Sequence, residues 1–432
     1  MFASFLAPRL ARRGVHYGWV VLAITFLVML TTSASLGLPG VMLLPLQGEY
    51  GWGLGTISGA LALRLVLYGV LAPFAAALMM RFGVRSTVVV ALVLIVAGLL
   101  LATGMTAPWM LWASWGVILG IGSGLTAMVL GATVANRWFT ARRGLVLGML
   151  TASAATGQLA VLPLAAWLAE QYGWRMAVVP GVAGCAIAGV ALLLFGADHP
   201  ADLGLLPYGE TPVPGIRPVR AAATANPVQA ALAAVAGAAR TRVFWILFGS
   251  FFICGLSTNG LMQTHFIPLC HDFGMGELEA ASVLAMMGAF DFIGTILSGW
   301  LSDRYDNRWL LFWYYGLRGL SLMALPYSTF SIYGLSLFAM FYGLDWIATT
   351  PPTVKLAAQE FGRDQAPLIF GWVFTGHQFG AATAALLAGL SRDALSSYLP
   401  AFYAAGVACL IAALAVLFVR PGRSRSALAA AE

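Results

Sequence analysis

The sequence predicts an all-α membrane protein of twelve transmembrane helices, arranged as two pseudo-symmetric six-helix bundles with both termini cytoplasmic. Three observations predict it. Of the 432 residues, 60% are hydrophobic and only 9% charged, with a mean hydropathy of +0.87, whereas soluble domains are about a quarter charged. Apolar runs of roughly 20 residues, the length that crosses a bilayer, recur twelve times in two groups of six. The two groups also match each other at one constant offset.

In the first half the runs fall near 17–44, 55–80, 86–105, 109–136, 144–168 and 175–196. In the second they fall near 243–268, 278–301, 309–326, 331–355, 366–390 and 399–420. The chain divides into a bundle over 1–196, a Pro- and Ala-rich cytoplasmic linker over 197–241, a bundle over 242–420 and a cytoplasmic tail over 421–432. Arg9, Arg12 and Arg13 precede a first run too long for a signal-peptide core, so it reads as an uncleaved helix with a cytoplasmic start.

Charge orients the helices. Nineteen of the 23 basic residues lie at the N-terminus, in alternate loops and in the tail. The remaining loops hold only Arg175 and Arg392, while Arg64 and Arg318 lie inside runs. That asymmetry is the positive-inside pattern of a cell (inner) membrane protein. It also accounts for the net charge of +7 without nucleic acid. The four cysteines, Cys185, Cys254, Cys270 and Cys409, have no paired spacing, which argues against a disulfide framework or a metal site.

The internal match is at 223 residues. Gly37 pairs with Gly260, Pro45-Leu46 with Pro268-Leu269, Arg81 and Arg85 with Arg304 and Arg308, and Gly148 and Gly157 with Gly371 and Gly380. Two such repeats around a midplane cavity is the architecture of alternating access.

Four ionisable groups fall well inside runs: Arg64, Asp291, Arg318 and Asp345. Each costs at least about 2.5–3.5 kcal/mol at a helix centre, so each needs a partner or a purpose. Asp291 shares a narrow polar stripe with Gly288, Thr295, Ser298 and Ser302 on the eighth helix. Arg318 is an ion-pair partner for Asp291 or Asp345, or a cation for an anionic substrate. Two acids to one base leave a carboxylate over, which makes Asp291 and Asp345 candidates to carry a coupling proton. Arg64 either caps backbone carbonyls or holds an anion through bidentate hydrogen bonds.

The seventh helix carries Ser257-Thr258-Asn259-Gly260, which can loosen it, followed by Gln263 and His265. Asn259, Gln263, His265 and, in the eleventh helix, His377 are candidate substrate contacts; interhelical hydrogen bonding is the alternative for each. Gly116, Gly120 and Gly124 read as close helix packing.

The stretch GWLSDRYDNR (Gly299 to Arg308) resembles the loop signature of the major facilitator superfamily, and AALMMRFGVR (Ala76 to Arg85) is its first-half counterpart with Met80 at the acidic position. The resemblance implies that Gly299, Asp303, Arg304, Arg308, Arg81 and Arg85 form a conformational latch. GLPGVMLLPLQGEYGW, RWFTARRGLVLGML and FDFIG resemble the monocarboxylate and oxalate/formate branch. That branch carries an arginine one turn after the eighth-helix acid, where this chain has Thr295, and its animal members carry a lysine where this chain has Gly40.

The resemblance implies a proton-coupled secondary transporter, a symporter of a small organic anion such as a monocarboxylate, working as a monomer without a cofactor. The competing reading is a proton-coupled exporter of hydrophobic or cationic compounds. Such antiporters carry Gly-Pro in the fifth helix, where Gly157 is here followed by Gln158. An enzyme is disfavoured because no phosphate-binding loop, metal spacing or nucleophile motif is present.

Overall fold

The computed structural model describes residues 2–126, 128–210, 226–302, 304–362 and 366–419. Asp303 and the tail 421–432 lie outside the described residues. The described chain is helical throughout, with one isolated bridge between Phe139 and Tyr208.

Among the described residues, ten helical runs are long and apolar enough to cross a membrane. In chain order they are Gly18–Tyr50, Leu54–Ala75, Val84–Thr103, Pro108–Ala135, Gly148–Tyr172, Trp174–Phe195, Arg242–Asp272, Glu277–Ser302, Ile332–Phe361 and Leu399–Val416. They coincide with the first to eighth, the tenth and the twelfth predicted helices. At the ninth and eleventh positions stand Asn307–Ala324 and Ala366–Leu395. These are more polar: the former holds Arg308 and Arg318, the latter His377, Gln378, Arg392 and Asp393. All twelve are named by ordinal below.

Local chemistry bends these helices where the sequence places proline or polar residues. The first breaks at Leu38, and its second piece, Pro39–Tyr50, starts on a proline whose missing N–H costs nothing there. The seventh widens into a π-helical turn over Leu256–Met262, so the Asn259 carbonyl accepts the Thr264 hydroxyl, at 2.9 Å. The tenth is interrupted between Asp345 and Thr350.

The repeat is visible in the packing. A Cβ on Gly37 would run into the Gln158 carbonyl, and one on Gly260 into the Ala381 carbonyl. Residues 158 and 381 are themselves 223 apart. Gly157 likewise meets the Leu30 carbonyl and Gly380 that of Phe252. The first and fifth helices therefore touch backbone to backbone as the seventh and eleventh do. The two halves meet mainly along the second and eleventh helices, from Ser58 against Gly389, through Gly69 against Gln378, to the Phe74–Trp372 ring pair at 6.3 Å.

At the end that carries the amino terminus, Arg85 donates to the Leu193 carbonyl and Arg308 to the Val419 carbonyl, at 3.4 Å. Each arginine ties its loop to the last helix of its own half. Arg81 is exposed, its guanidinium over the Phe82 ring, and Arg304 lies over Trp300 at 4.0 Å. A Cβ on Gly299 would meet open space. In the same loop the Arg308 guanidinium hydrogen-bonds Asp306 and holds its carboxyl below the usual carboxylate range. Linker helix Pro227–Ala238, capped by Asn226, packs on the second and eleventh helices, and Trp372 Nε1 donates to the Ala231 carbonyl at 2.9 Å.

Candidate functional site

Two polar sites stand inside this bundle. The first lies between the halves. Leu36 and Pro39 from the first helix, Leu61, Arg64 and Leu65 from the second, and Asn259, Gln263 and Thr264 from the seventh line one small cavity. Its volume is about 10 Å³, room for a single water.

Arg64 is 2% exposed. The Gly116, Gly120 and Gly124 stripe of the fourth helix backs onto the second. A Cβ on Gly120 would lie 3.2 Å from both the Arg64 Cα and its carbonyl oxygen, so the glycine lets the two helices close and fixes the arginine's height. One Arg64 nitrogen, Nη2, donates to Ser35 Oγ at 3.1 Å, and the Ser35 hydroxyl donates onward to the Thr32 carbonyl at 2.7 Å. Nε has no partner, and among the described residues no carboxylate pairs with Arg64.

Across the cavity the Gln263 amide nitrogen is also buried without a partner. Asn259 Nδ2 donates to Gln158 Oε1 at 3.0 Å, a bond that joins the seventh helix to the fifth across the two halves. Buried donors left unmatched are costly, about 1–3 kcal/mol each and more when charged. The residues that line this cavity bring two such donors together, one of them cationic, a set suited to an anion.

Gly40 lies beside this site, against the Gln263 and Thr264 carbonyls. A Cβ there would sit 2.6 Å from the Gln263 carbonyl oxygen. The backbones of the first and seventh helices touch at that point, leaving no room for the lysine that animal members of the related branch carry.

The second site surrounds the interruption of the tenth helix. A break in lipid frees backbone groups that must be satisfied locally. Asp291 Oδ1 accepts the Ile347 N–H at 2.9 Å and the Thr295 hydroxyl at 3.0 Å. Ser298 donates to the Ala348 carbonyl. Arg318 donates to the carbonyls of Asp345 and, at 3.2 Å, Trp346. Its Nε also pairs with Asp345 Oδ2 at 2.6 Å, and Nη1 reaches Cys254 Sγ at 3.1 Å and Ser257 Oγ at 3.4 Å. Of the two acids open to Arg318 in the sequence, its partner is therefore Asp345. Asp291, 2% exposed, is bonded only to neutral groups. Thr295 is the group that meets it where the related branch has arginine.

Three of the sequence candidates, Arg64, Asn259 and Gln263, converge on the cavity, while Asp291, Arg318 and Asp345 converge on the break. The histidines do neither. His265 is fully buried, with Nε2 against the Ala385 carbonyl at 2.8 Å and its ring on Tyr398. His377 packs between Phe251 and Phe374. Sequence reasoning missed Gln158, Ser35 and the break itself. The Thr349-Thr350-Pro351-Pro352 run signals the break, since neither proline can donate to the preceding turn.

A family model described as the Major Facilitator Superfamily matches residues 21–350 and 272–432. The uncharacterized MFS-type transporter YcxA of Bacillus subtilis (strain 168) is 26% identical over 93% of this chain and 92% of its own length. Monocarboxylate transporter 13 of Bos taurus is 26% identical over 94% of this chain and 89% of its own. Among solved structures, a D-xylose-proton symporter superposes with a TM-score of 0.70 at 15% identity, covering 94% of this chain and 98% of that one. A bacterial homologue of the human lysosomal transporter Spinster superposes at 0.68 and 14% identity, covering 93% and 97%.

Proposed function

We propose, for a chain that belongs to the major facilitator superfamily and is thus a multi-pass membrane transporter, that its cargo is a small organic anion, a monocarboxylate or related carboxylate. In this reading all twelve helices cross the cell (inner) membrane, both termini are cytoplasmic, and the monomer works by alternating access. The cavity between the halves is the carboxylate site.

The observation that carries the proposal is Arg64: a buried guanidinium with an unpartnered Nε, on a residue that lines a cavity together with leucines, a proline, a threonine and two amides. Guanidinium is the group of choice for bidentate carboxylate binding. The leucines and proline beside Arg64 would contact a short hydrocarbon chain once the halves part and the cavity, with room now for one water, widens. Asn259 and Gln263 supply hydrogen bonds from the opposite half, so a bound substrate would touch both halves at once. Arg64 thereby takes the place of the cation that the related branch has one turn after its eighth-helix acid. The monocarboxylate transporters among the relatives support the substrate class.

Symport with a proton is the second part of the reading. Asp291 is buried with no cation hydrogen-bonded to it, and a charged carboxylate is far costlier to bury than a neutral one. We assign it the coupling proton. Asp345 is the weaker candidate because Arg318 already compensates it.

The test is uptake of radiolabelled carboxylates into proteoliposomes with and without an imposed proton gradient. The reading expects saturable uptake that an inward proton gradient accelerates. Absence of gradient-dependent carboxylate flux, with flux of cationic or hydrophobic compounds instead, would identify the exporter.

A further inference from the structure

We infer that Glu170 and Asp393 are a matched pair of gating residues that hold the outer face closed by binding helix ends across the two halves. Asp393, in the last turn of the eleventh helix, accepts the Leu54 N–H with Oδ1 at 2.9 Å and the Gly55 N–H with Oδ2 at 2.6 Å. Both donors lie in the first turn of the second helix, in the other half. Glu170, in the last turn of the fifth helix, accepts the Leu278 N–H with Oε1 at 3.0 Å, in the first turn of the eighth helix, again in the other half.

The two arrangements obey the internal repeat. Positions 170 and 393 are 223 apart, and so are 55 and 278. One acid and one helix start are thus used twice, in opposite senses, about the pseudo-symmetry axis. The chemistry is well matched: first-turn N–H groups have no partner within their own helix, and the positive end of the helix dipole favours a carboxylate. Among the described residues the ion pairs at this end, Arg175–Glu49 and Arg392–Asp272, each join helices of one half only. Parting the halves breaks the Glu170 and Asp393 hydrogen bonds and leaves those pairs intact. Glycine permits the close approach on the Asp393 side, where a Cβ on Gly389 would run into Ser58. Both acids are exposed, so water can replace each bond as it opens, as a gate that cycles requires.

The proposal rests on the topology given above for the word outer; the hydrogen bonds and their test do not depend on the substrate. Full-length protein in nanodiscs, spin-labelled at Trp109→Cys and Tyr333→Cys, two exposed sites in opposite halves, reports the separation by electron–electron resonance. The four native cysteines are buried. Glu170→Gln and Asp393→Asn should each add a longer-distance population. The Glu170→Ala/Asp393→Ala double variant should raise the open fraction further, by about tenfold for each carboxylate removed. Asp272→Asn, which cuts a pair inside one half, should leave the distribution as in the parent. An unchanged distribution in both the Gln/Asn and the double-alanine variants overturns the proposal, and so does an equal response to Asp272→Asn. Absence of carboxylate transport by the parent protein, with the gate response intact, would overturn only the substrate assignment.

Discussion

Arg318 and Arg64 are both buried arginines, yet their surroundings differ, and the tasks proposed for them differ accordingly. Arg318, 1% exposed, spends its donors on Asp345, two backbone carbonyls, Cys254 and Ser257. It closes a break and has nothing left for a ligand. Removing its acid strands a buried charge, so Asp345→Ala should lower stability by about 3–5 kcal/mol, read as a large fall in the thermal unfolding temperature in detergent. Asp291→Asn should behave differently. The amide oxygen can still accept the Ile347 N–H, so the fold should survive within about 1 kcal/mol. Acceleration of uptake by an imposed pH gradient should disappear while substrate exchange persists. Full retention of the gradient response in Asp291→Asn would remove it as the proton site. Gly40→Lys tests the cavity wall: the side chain must displace the Gln263 carbonyl, so uptake should fall rather than gain the function that a second cation would otherwise bring.

At the scale of helices, hydropathy sets length and number, while packing decides which way each side chain turns. Ten of the twelve predicted helices reappear as long apolar runs. The 223-residue offset of Gly37 and Gly260, and of Gly157 and Gly380, has its reason in packing, since each of the four lies against a backbone carbonyl that admits no Cβ. Gly380→Val should therefore cost about 1–3 kcal/mol by overpacking against the Phe252 carbonyl, again measured by thermal unfolding. The meeting of Arg64, Asn259 and Gln263 was legible in part: a buried cation and a polar pair on one face of a loosened helix need partners, either a ligand or, as Asn259 has in Gln158, a neighbouring helix. The histidines were less so. Whether His265 faces a cavity or the Ala385 carbonyl depends on the rotation of the seventh helix, which no spacing in the chain reveals. The choice of Asp345 over Asp291 as the partner of Arg318 has the same origin. It follows from the tenth helix breaking just after Asp345, so that one guanidinium can reach both the carboxylate and the freed carbonyls.

For the whole molecule, polar groups fall into three layers along the bundle axis. At the end with the amino terminus, Arg85 and Arg308 tie each half to itself. In the middle, Arg64, Gln263 and the Asn259–Gln158 bond face one another across the halves. At the opposite end, carboxylates reach helix ends of the other half. Such a layout supports rocking of two rigid halves about a central site, as internal repeats permit. What the central cavity binds decides how this protein works, and the affinity of Arg64→Gln for a carboxylate measures that most directly. If Arg64 holds the carboxylate, losing its charge-assisted hydrogen bonds should weaken binding by about 10–100-fold, with Arg64→Lys falling between the two. An affinity equal to that of the parent protein would contradict the account.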